Sequence, residues 1–286
     1  MRPQSGAAGA QPVWARAFAP AKVNLALHVT GQRADGYHSL ESLVVFANIG
    51  DSLRARRSSV AQLHVQGPMA QAVPEGPENL VLKAAAWAGQ TAAFELEKNL
   101  PAAAGLGGGS SDAAAALRAL EALTGQAVDV ARLAELGADV PVCYRARACL
   151  MRGVGELIED VTLPPMAAIL ANPRVDVATP AVFERLDSKT NPGLPALPGF
   201  ADAAALQRFL AEQTRNDLEV PARALAPVID EVLDRLWGLE DVRLARMSGS
   251  GASCFALFDE ISAAERGAEA LRAQRPDWWI GAVWLS

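Results

Sequence analysis

Cysteine and lysine are scarce in this chain, and no long apolar run or basic stripe is present; each shortage removes a class of protein. The three cysteines, Cys143, Cys149 and Cys254, are odd in number and scattered through apolar surroundings without metal-ligand spacing. That argues against a disulfide framework or a zinc site and reads as buried thiols in a reducing cytoplasm. No apolar stretch reaches bilayer-spanning length, so no membrane partner is expected. Residues 1–12 lack the apolar centre of a signal peptide and read as a disordered N-terminal extension. The net charge is -6 with no Lys/Arg-rich stripe, which disfavours a nucleic-acid partner while leaving room for a small phosphorylated one. Of 26 basic residues only Lys22, Lys83, Lys98 and Lys189 are lysines. A lysine kept inside an apolar strand therefore stands out, because an ammonium is a point charge where the wide guanidinium fork does not fit. Lys22 is that residue.

What is present is a 286-residue chain, 51% hydrophobic and 20% charged, enough to bury the cores of two ordinary domains. Its most informative segment runs from Lys98 to Leu117. Gly105, Gly107, Gly108 and Gly109 permit positive φ and close approach of a ligand to the backbone. Ser110 and Ser111 then offer N-cap chemistry for a helix of strong helix formers that stops at Thr124-Gly125. Free N–H groups and the positive end of a helix dipole make an anion site. The segment is not a Walker loop, since no lysine precedes the serine pair, and it only grazes the dinucleotide fingerprint. A flexible linker fits poorly between an apolar strand and a capped helix.

Periodicity predicts extended runs over 13–18 and 22–29 interrupted by Pro20, then strands over 40–49, 52–56, 61–65 and 93–97, with a helix over 79–88. Asp129 caps a short helix ending at Gly137, and Pro141 is expected to stop helix and hold Asp139 in a turn. Strands over 148–152 and 156–159 complete a first domain, residues 13–164, ending at Pro164-Pro165. Over 165–286, strands at 167–171, 242–247, 253–258 and 278–285 alternate with helices at 201–212, 222–236 and 263–273, and 189–199 reads as an exposed loop. The fold class is α+β. Read bare, Asp139 is a turn former or cap, Lys22 an edge lysine, Phe183 a core residue, and His28 and His64 structural.

Three segments, Ala19-Pro-Ala-Lys-Val-Asn-Leu, Leu100 to Asp112, and Met247-Ser-Gly-Ser-Gly-Ala-Ser, together resemble the GHMP kinase superfamily. Gly31 to Leu40, Gly137-Ala-Asp-Val-Pro and Asn216-Asp-Leu-Glu resemble its branch acting on a cytidine-diphosphate-linked methylerythritol. Departures are small: Arg145-Ala-Arg-Ala-Cys replaces a smaller segment, and Val142 stands where an aromatic is common. The resemblance implies a two-domain fold, with an N-terminal mixed-sheet α/β domain, a C-terminal ferredoxin-like sandwich, and the site in the cleft between them. It implies ATP with Mg²⁺ as cofactors and transfer of the γ-phosphoryl group to a 2-hydroxyl of a small-molecule substrate bearing cytidine diphosphate, in a monomer or homodimer. Asp139 becomes the proton acceptor and Lys22 its partner. The segment Pro101, Ala102, Ala103, Ala104, Gly105, Leu106, Gly107, Gly108, Gly109, Ser110 and Ser111 becomes the triphosphate cradle, with the serine hydroxyls toward phosphate or metal-bound water. Tyr37 and Phe183 become the two faces of a cytosine slot with His38 on the base edge, while Asn24 and Thr179 reach the substrate. A mevalonate- or homoserine-type kinase, or a non-catalytic nucleotide-binding protein, is the alternative on the same scaffold.

Overall fold

The structure is a computed structural model that describes residues 13–102 and 104–286. The extension expected over 1–12 lies outside the described residues, as does Ala103. Strand β1 (Ala15–Gln32) runs straight through Pro20, and β2 (His38–Arg57) runs through the break anticipated near Gly50. The two pair antiparallel, with register shifts between Pro20 and Lys22 and between Asn24 and Ala26. A bulge is how a ladder absorbs a proline that has no N–H to donate.

Strand β2 is the hub of the first half. Besides β1 it pairs antiparallel with β4 (Ala92–Glu97) and β5 (Cys149–Gly153). Strand β3 (Gln62–Gln66) lies parallel to β4 and β6 (Leu157–Asp160) antiparallel to β5, so the sheet is mixed. Helices α1 (Leu80–Trp87) and α2 (Gly108–Thr124) cover it. The alanine-rich face of α2 lets the helix lie close on Leu53, Phe94 and Leu96. Short helix α3 (Val140–Arg145) starts where a stop was anticipated: Pro141 sits in its first turn, where its missing N–H is not needed.

The second half holds β7 (Met166–Asn172), β8 (Leu244–Met247), β9 (Cys254–Phe258) and β10 (Trp279–Leu285), all antiparallel in the order β10-β7-β9-β8. Helices α4 (Thr179–Glu184), α5 (Ala203–Gln213), α6 (Glu219–Leu225) and α7 (Val228–Trp237) connect β7 to β8, and α8 (Ile261–Gln274) connects β9 to β10. This is the ferredoxin-like order. The single helix expected over 222–236 is two, because Pro227 cannot continue α6 and instead caps α7. A backbone pair between Phe46 and Ser286, at 2.9 and 3.0 Å, joins the two sheets edge to edge. No helix among the described residues is long and apolar enough to cross a membrane.

Beneath the start of α2, Lys98 is 2% exposed and its Nζ lies 2.6 Å from both Asp51 Oδ2 and Asp112 Oδ2. Asp51 Oδ1 also accepts the N–H groups of Asn99 (2.6 Å) and Leu100 (2.8 Å). The triad thus ties the end of β4, the hub strand and the second turn of α2 together. Burial pulls the Lys98 pKa down, but the carboxylates of Asp112 and Asp51 outweigh it and hold it above the usual lysine range. Burial pushes Asp112 up to about 7, with Lys98 opposing and Asp51 adding. Between its ordinary value of 3.8 and about 7, the folded state binds a proton that the unfolded state does not, so stability from this group falls as pH rises through that window. Lys98→Met should strand two buried carboxyls and cost about 3–5 kcal/mol in urea unfolding at pH 8. The deficit should narrow toward pH 5 as they protonate; an equal deficit at both pH values contradicts the assignment.

Candidate active site

Among the described residues, only β2 pairs along β1, and its other edge carries a single bridge, Leu27 to Asn216. Unpaired edge N–H groups need partners, and here the loops of the site supply them. At the first bulge, Lys22 N donates to Leu106 O in the glycine segment (2.9 Å). At the second, Asn24 N donates to Ser248 Oγ (3.1 Å), which itself donates to Gly105 O (3.1 Å). Farther along, Leu27 N donates to Arg215 O (2.9 Å) and Val29 N to Asp217 Oδ2 (2.7 Å). Asn216 Nδ2 donates to Met247 O and Gly249 O, both at 2.8 Å, so the Asn-Asp-Leu-Glu motif holds the second glycine turn in place.

The two glycine turns touch. At Gly105 (φ +71) a Cβ would lie 2.5 Å from Ser248 O, and at Gly107 (φ +64) it would lie 3.1 Å from the Lys22 Cβ. Gly107, in the left-handed region, is the N-cap of α2, so Ser110 and Ser111 lie inside the first turn and are not caps. Ser111 N closes that turn on Gly107 O (2.8 Å). The Ser111 hydroxyl is buried and donates to Pro20 O (2.7 Å), so it faces β1 and not a phosphate. Ala104, Gly105, Gly107, Gly108, Gly109 and Ser110 line the cleft, whereas Pro101, Leu106 and Ser111 are buried behind them. Lys98 and Asn99, next to the cradle, are occupied: Lys98 by the buried triad, and Asn99 by Asp51 and Gly50 O (3.2 Å).

Opposite the glycine segment, Lys22 Nζ lies 2.6 Å from Asp139 Oδ2, with side-chain exposures of 5% and 33%. Asp139 occupies the N-cap position of α3 without making a capping bond. Its carboxylate is therefore turned to Lys22 and the cleft, not to the helix. The lysine is sealed into β1 and cannot leave the pair without stranding a buried charge.

Asn24 is bonded to Ser42 and not to Asp139. Its Nδ2 donates to Ser42 Oγ (2.7 Å), and its buried Oδ1 has no partner among the described residues. His38 lies flat on Phe183, with ring centroids 4.8 Å apart and planes 20° from parallel, while Tyr37 stands 66% exposed at the rim. The stack covers one face of each ring, so on that face Phe183 meets His38 and not a base. Burial first, and Lys189 second, lower the His38 pKa, so the ring is neutral at pH 7 and offers one donor and one acceptor. Thr179, at the start of α4, shares a hydrogen bond with Ser250 of the second glycine turn (2.8 Å). Lys22, Asn24, Tyr37, His38, Asp139, Thr179 and Phe183 all line one cleft of about 1040 Å³ together with the glycine segment. Residues from Lys22 to Ser250 converge there. The roles of Ser42, Ser248 and Asn216 carry no local signal, although Ser248 and Asn216 lie in motifs that the sequence singles out.

A glycine-lined helix start, a Lys–Asp pair facing it and a ferredoxin-like second half go with a small-molecule kinase of the GHMP type. The models of the GHMP kinases N terminal domain and of GHMP kinases C terminal match residues 79–149 and 194–277. The chain belongs to the GHMP kinase family, and within it stands with the 4-diphosphocytidyl-2-C-methyl-D-erythritol kinases. It is 57% identical over 277 residues to the protein of that name from Dinoroseobacter shibae, covering 96% of this chain and 95% of that one. The corresponding protein of Cereibacter sphaeroides is 52% identical over 269 residues, 92% of this chain and 96% of its own. A crystal structure of 4-(cytidine 5'-diphospho)-2C-methyl-D-erythritol kinase superposes with a TM-score of 0.78 at 40% identity, covering 95% of this chain and 99% of that one. A homoserine kinase from Cytophaga hutchinsonii, 18% identical with a TM-score of 0.62, shares the fold.

The contact between Gly107 and Lys22 yields a test. Gly107→Ala should destabilise the fold by about 1–2 kcal/mol, the cost of a left-handed alanine, and should lower nucleotide affinity by displacing the loop from Lys22. Unchanged urea unfolding and unchanged nucleotide titration together contradict this.

Proposed function

We propose that the chain transfers the γ-phosphoryl group of ATP to the 2-hydroxyl of 4-(cytidine 5'-diphospho)-2-C-methyl-D-erythritol, giving the 2-phosphate and ADP, in the cytoplasmic non-mevalonate route to isoprenoids. The observation that carries the reading is the 2.6 Å Lys22–Asp139 pair set against the open first turn of α2 in one cleft. Phosphoryl transfer needs positioning and charge stabilisation more than covalent help. The N–H groups of the first turn of α2 hold the triphosphate. The Asp139 carboxylate oxygen not bonded to Lys22 accepts the hydroxyl proton. Lys22 keeps that carboxylate ionised and oriented, and its charge lies beside the oxygen that becomes anionic.

Mg²⁺ fits this donor set. The ion takes few protein oxygens and completes its shell with phosphate and water, and the described residues hold no cluster of three His, Cys, Asp or Glu. The Ser110 hydroxyl, beside the glycine loop in the cleft, is the side chain to hold it. When bound, the ion offsets charge on the transferring group.

The acceptor end is set by Tyr37, His38 and Phe183. A neutral imidazole with one donor and one acceptor suits the edge of cytosine, and aromatic faces supply stacking of roughly 1–3 kcal/mol per base. Mevalonate and homoserine have no base for such rings to meet.

Purified protein with Mg-ATP and the cytidine-diphosphate substrate should release ADP and place one new phosphorus resonance on the 2-oxygen. Turnover of mevalonate or homoserine in its place contradicts the reading. In the same assay Asp139→Asn should lower kcat by about 10²–10⁴-fold while nucleotide titration shows ATP binding retained. Near-normal kcat removes Asp139 as the base.

A further inference from the structure

Apart from Lys22, one basic side chain lines the cleft among the described residues: Lys189. It lies on residues 186–199, a stretch without helix or strand that follows α4. Composition makes this an exposed Pro/Gly loop, yet the structure pins it to the free edge of β1. Asn191 N and Nδ2 both donate to Val29 O, at 3.1 and 3.2 Å, and Nδ2 also reaches Asp217 Oδ2 (3.2 Å). Leu194 N donates to Glu41 Oε2 (2.7 Å).

His28 completes the attachment. Its Nε2 accepts the Arg215 N–H (3.1 Å), which leaves Nδ1 to donate to Pro192 O (3.2 Å). Burial first, and Arg215 second, keep the ring neutral, as that pair of bonds requires. Arg215 Nη2 donates to the same Pro192 carbonyl (2.8 Å). The Asn-Asp-Leu-Glu motif therefore does two jobs: Asn216 fixes the second glycine turn, and Asp217 fixes the strap.

Lys189 stands two residues before this anchor. Its Nζ is 3.3 Å from Gln32 Oε1, another cleft residue, and its charge is felt at His38. It is thus on the wall that carries Tyr37, His38 and Phe183. A nucleoside diphosphate whose base meets those rings puts its two phosphates a ribose away, and a bridging diphosphate, with one negative charge on each phosphorus, needs a cation. Lys22 is committed to Asp139, and the open N–H groups of α2 are committed to the nucleotide that donates the phosphoryl group.

We propose that Lys189 binds the diphosphate of the cytidine-bearing substrate, and that the strap pinned by Asn191, His28 and Asp217 is what holds it there. This rests on the function proposed above. It makes Lys189 a residue that selects a diphosphate-linked acceptor over a bare polyol or amino acid.

The test uses Lys189→Met and Lys189→Arg in steady-state kinetics, with calorimetric titration of CDP and of cytidine as probes. Lys189→Met should raise KM for the cytidine-diphosphate substrate and weaken CDP binding by about 10–100-fold, the span of a charge-assisted bond. KM for ATP, kcat and cytidine binding should stay within about two-fold, and Lys189→Arg should recover most of the loss. Unchanged CDP binding in Lys189→Met overturns the proposal. So does equal weakening of CDP and cytidine, which assigns the effect to the base slot. Wild-type protein that neither turns over the substrate nor binds CDP overturns the proposed function and this inference with it, a result distinct from either.

Discussion

The free edge of β1 is the constraint on which the rest of the structure depends. A strand buried at the centre of a protein and paired on one side only must find partners for its outward N–H and C=O groups. In this chain those partners are the glycine segment, the second glycine turn, the Asn-Asp-Leu-Glu motif and the strap that follows α4. Two of the three register shifts in β1 fall at Lys22 and Asn24, where the backbone turns out of the β2 ladder to meet the glycine turns. Elements from both halves of the fold are thereby collected along one line, and the cleft is what lies above it.

Two lysine–carboxylate groupings flank that line, and their surroundings separate their roles. Around Lys98, both carboxylates are nearly inaccessible, so the triad is a fastening whose charges never meet a ligand. At Lys22 the ammonium is sealed in, but a third of the Asp139 side chain remains open to the cleft. The same pairing is closed to a ligand where both partners are buried and open to one where a partner is not. Scarcity of lysine sharpens the pattern: three of the four occupy positions where an ammonium is either buried between carboxylates or faces the cleft.

Much of this is legible in the sequence. The glycine run, the lysine inside an apolar strand and the Gly-Ala-Asp-Val-Pro turn are local signals, and strand and helix order follow from periodicity. What escaped depends on distance in the chain. Ser110 and Ser111 look like caps by type, but Gly107 adopts the left-handed conformation three residues earlier and starts the helix there. Ser111 turns to Pro20, 91 positions away, and Asn216 to Gly249, neither of which leaves a trace in local composition. Pro141 reads as a stop in the sequence because a proline that ends one helix is equally suited to begin another. Residues 189–199 carry the composition of a free loop, and only the bonds from β1, Glu41 and Arg215 make them a strap.

Site-resolved amide hydrogen exchange tests the central role of this edge most directly. Lys22, Asn24, Leu27 and Val29 have their N–H groups on loops and side chains and not on a neighbouring strand. The account predicts that these four amides exchange as slowly as ladder amides of β2, and that Ser248→Ala accelerates Asn24 while leaving Leu27 and Val29 protected. Fast exchange of all four in the wild-type protein, at the rate of an uncovered strand edge, would contradict it.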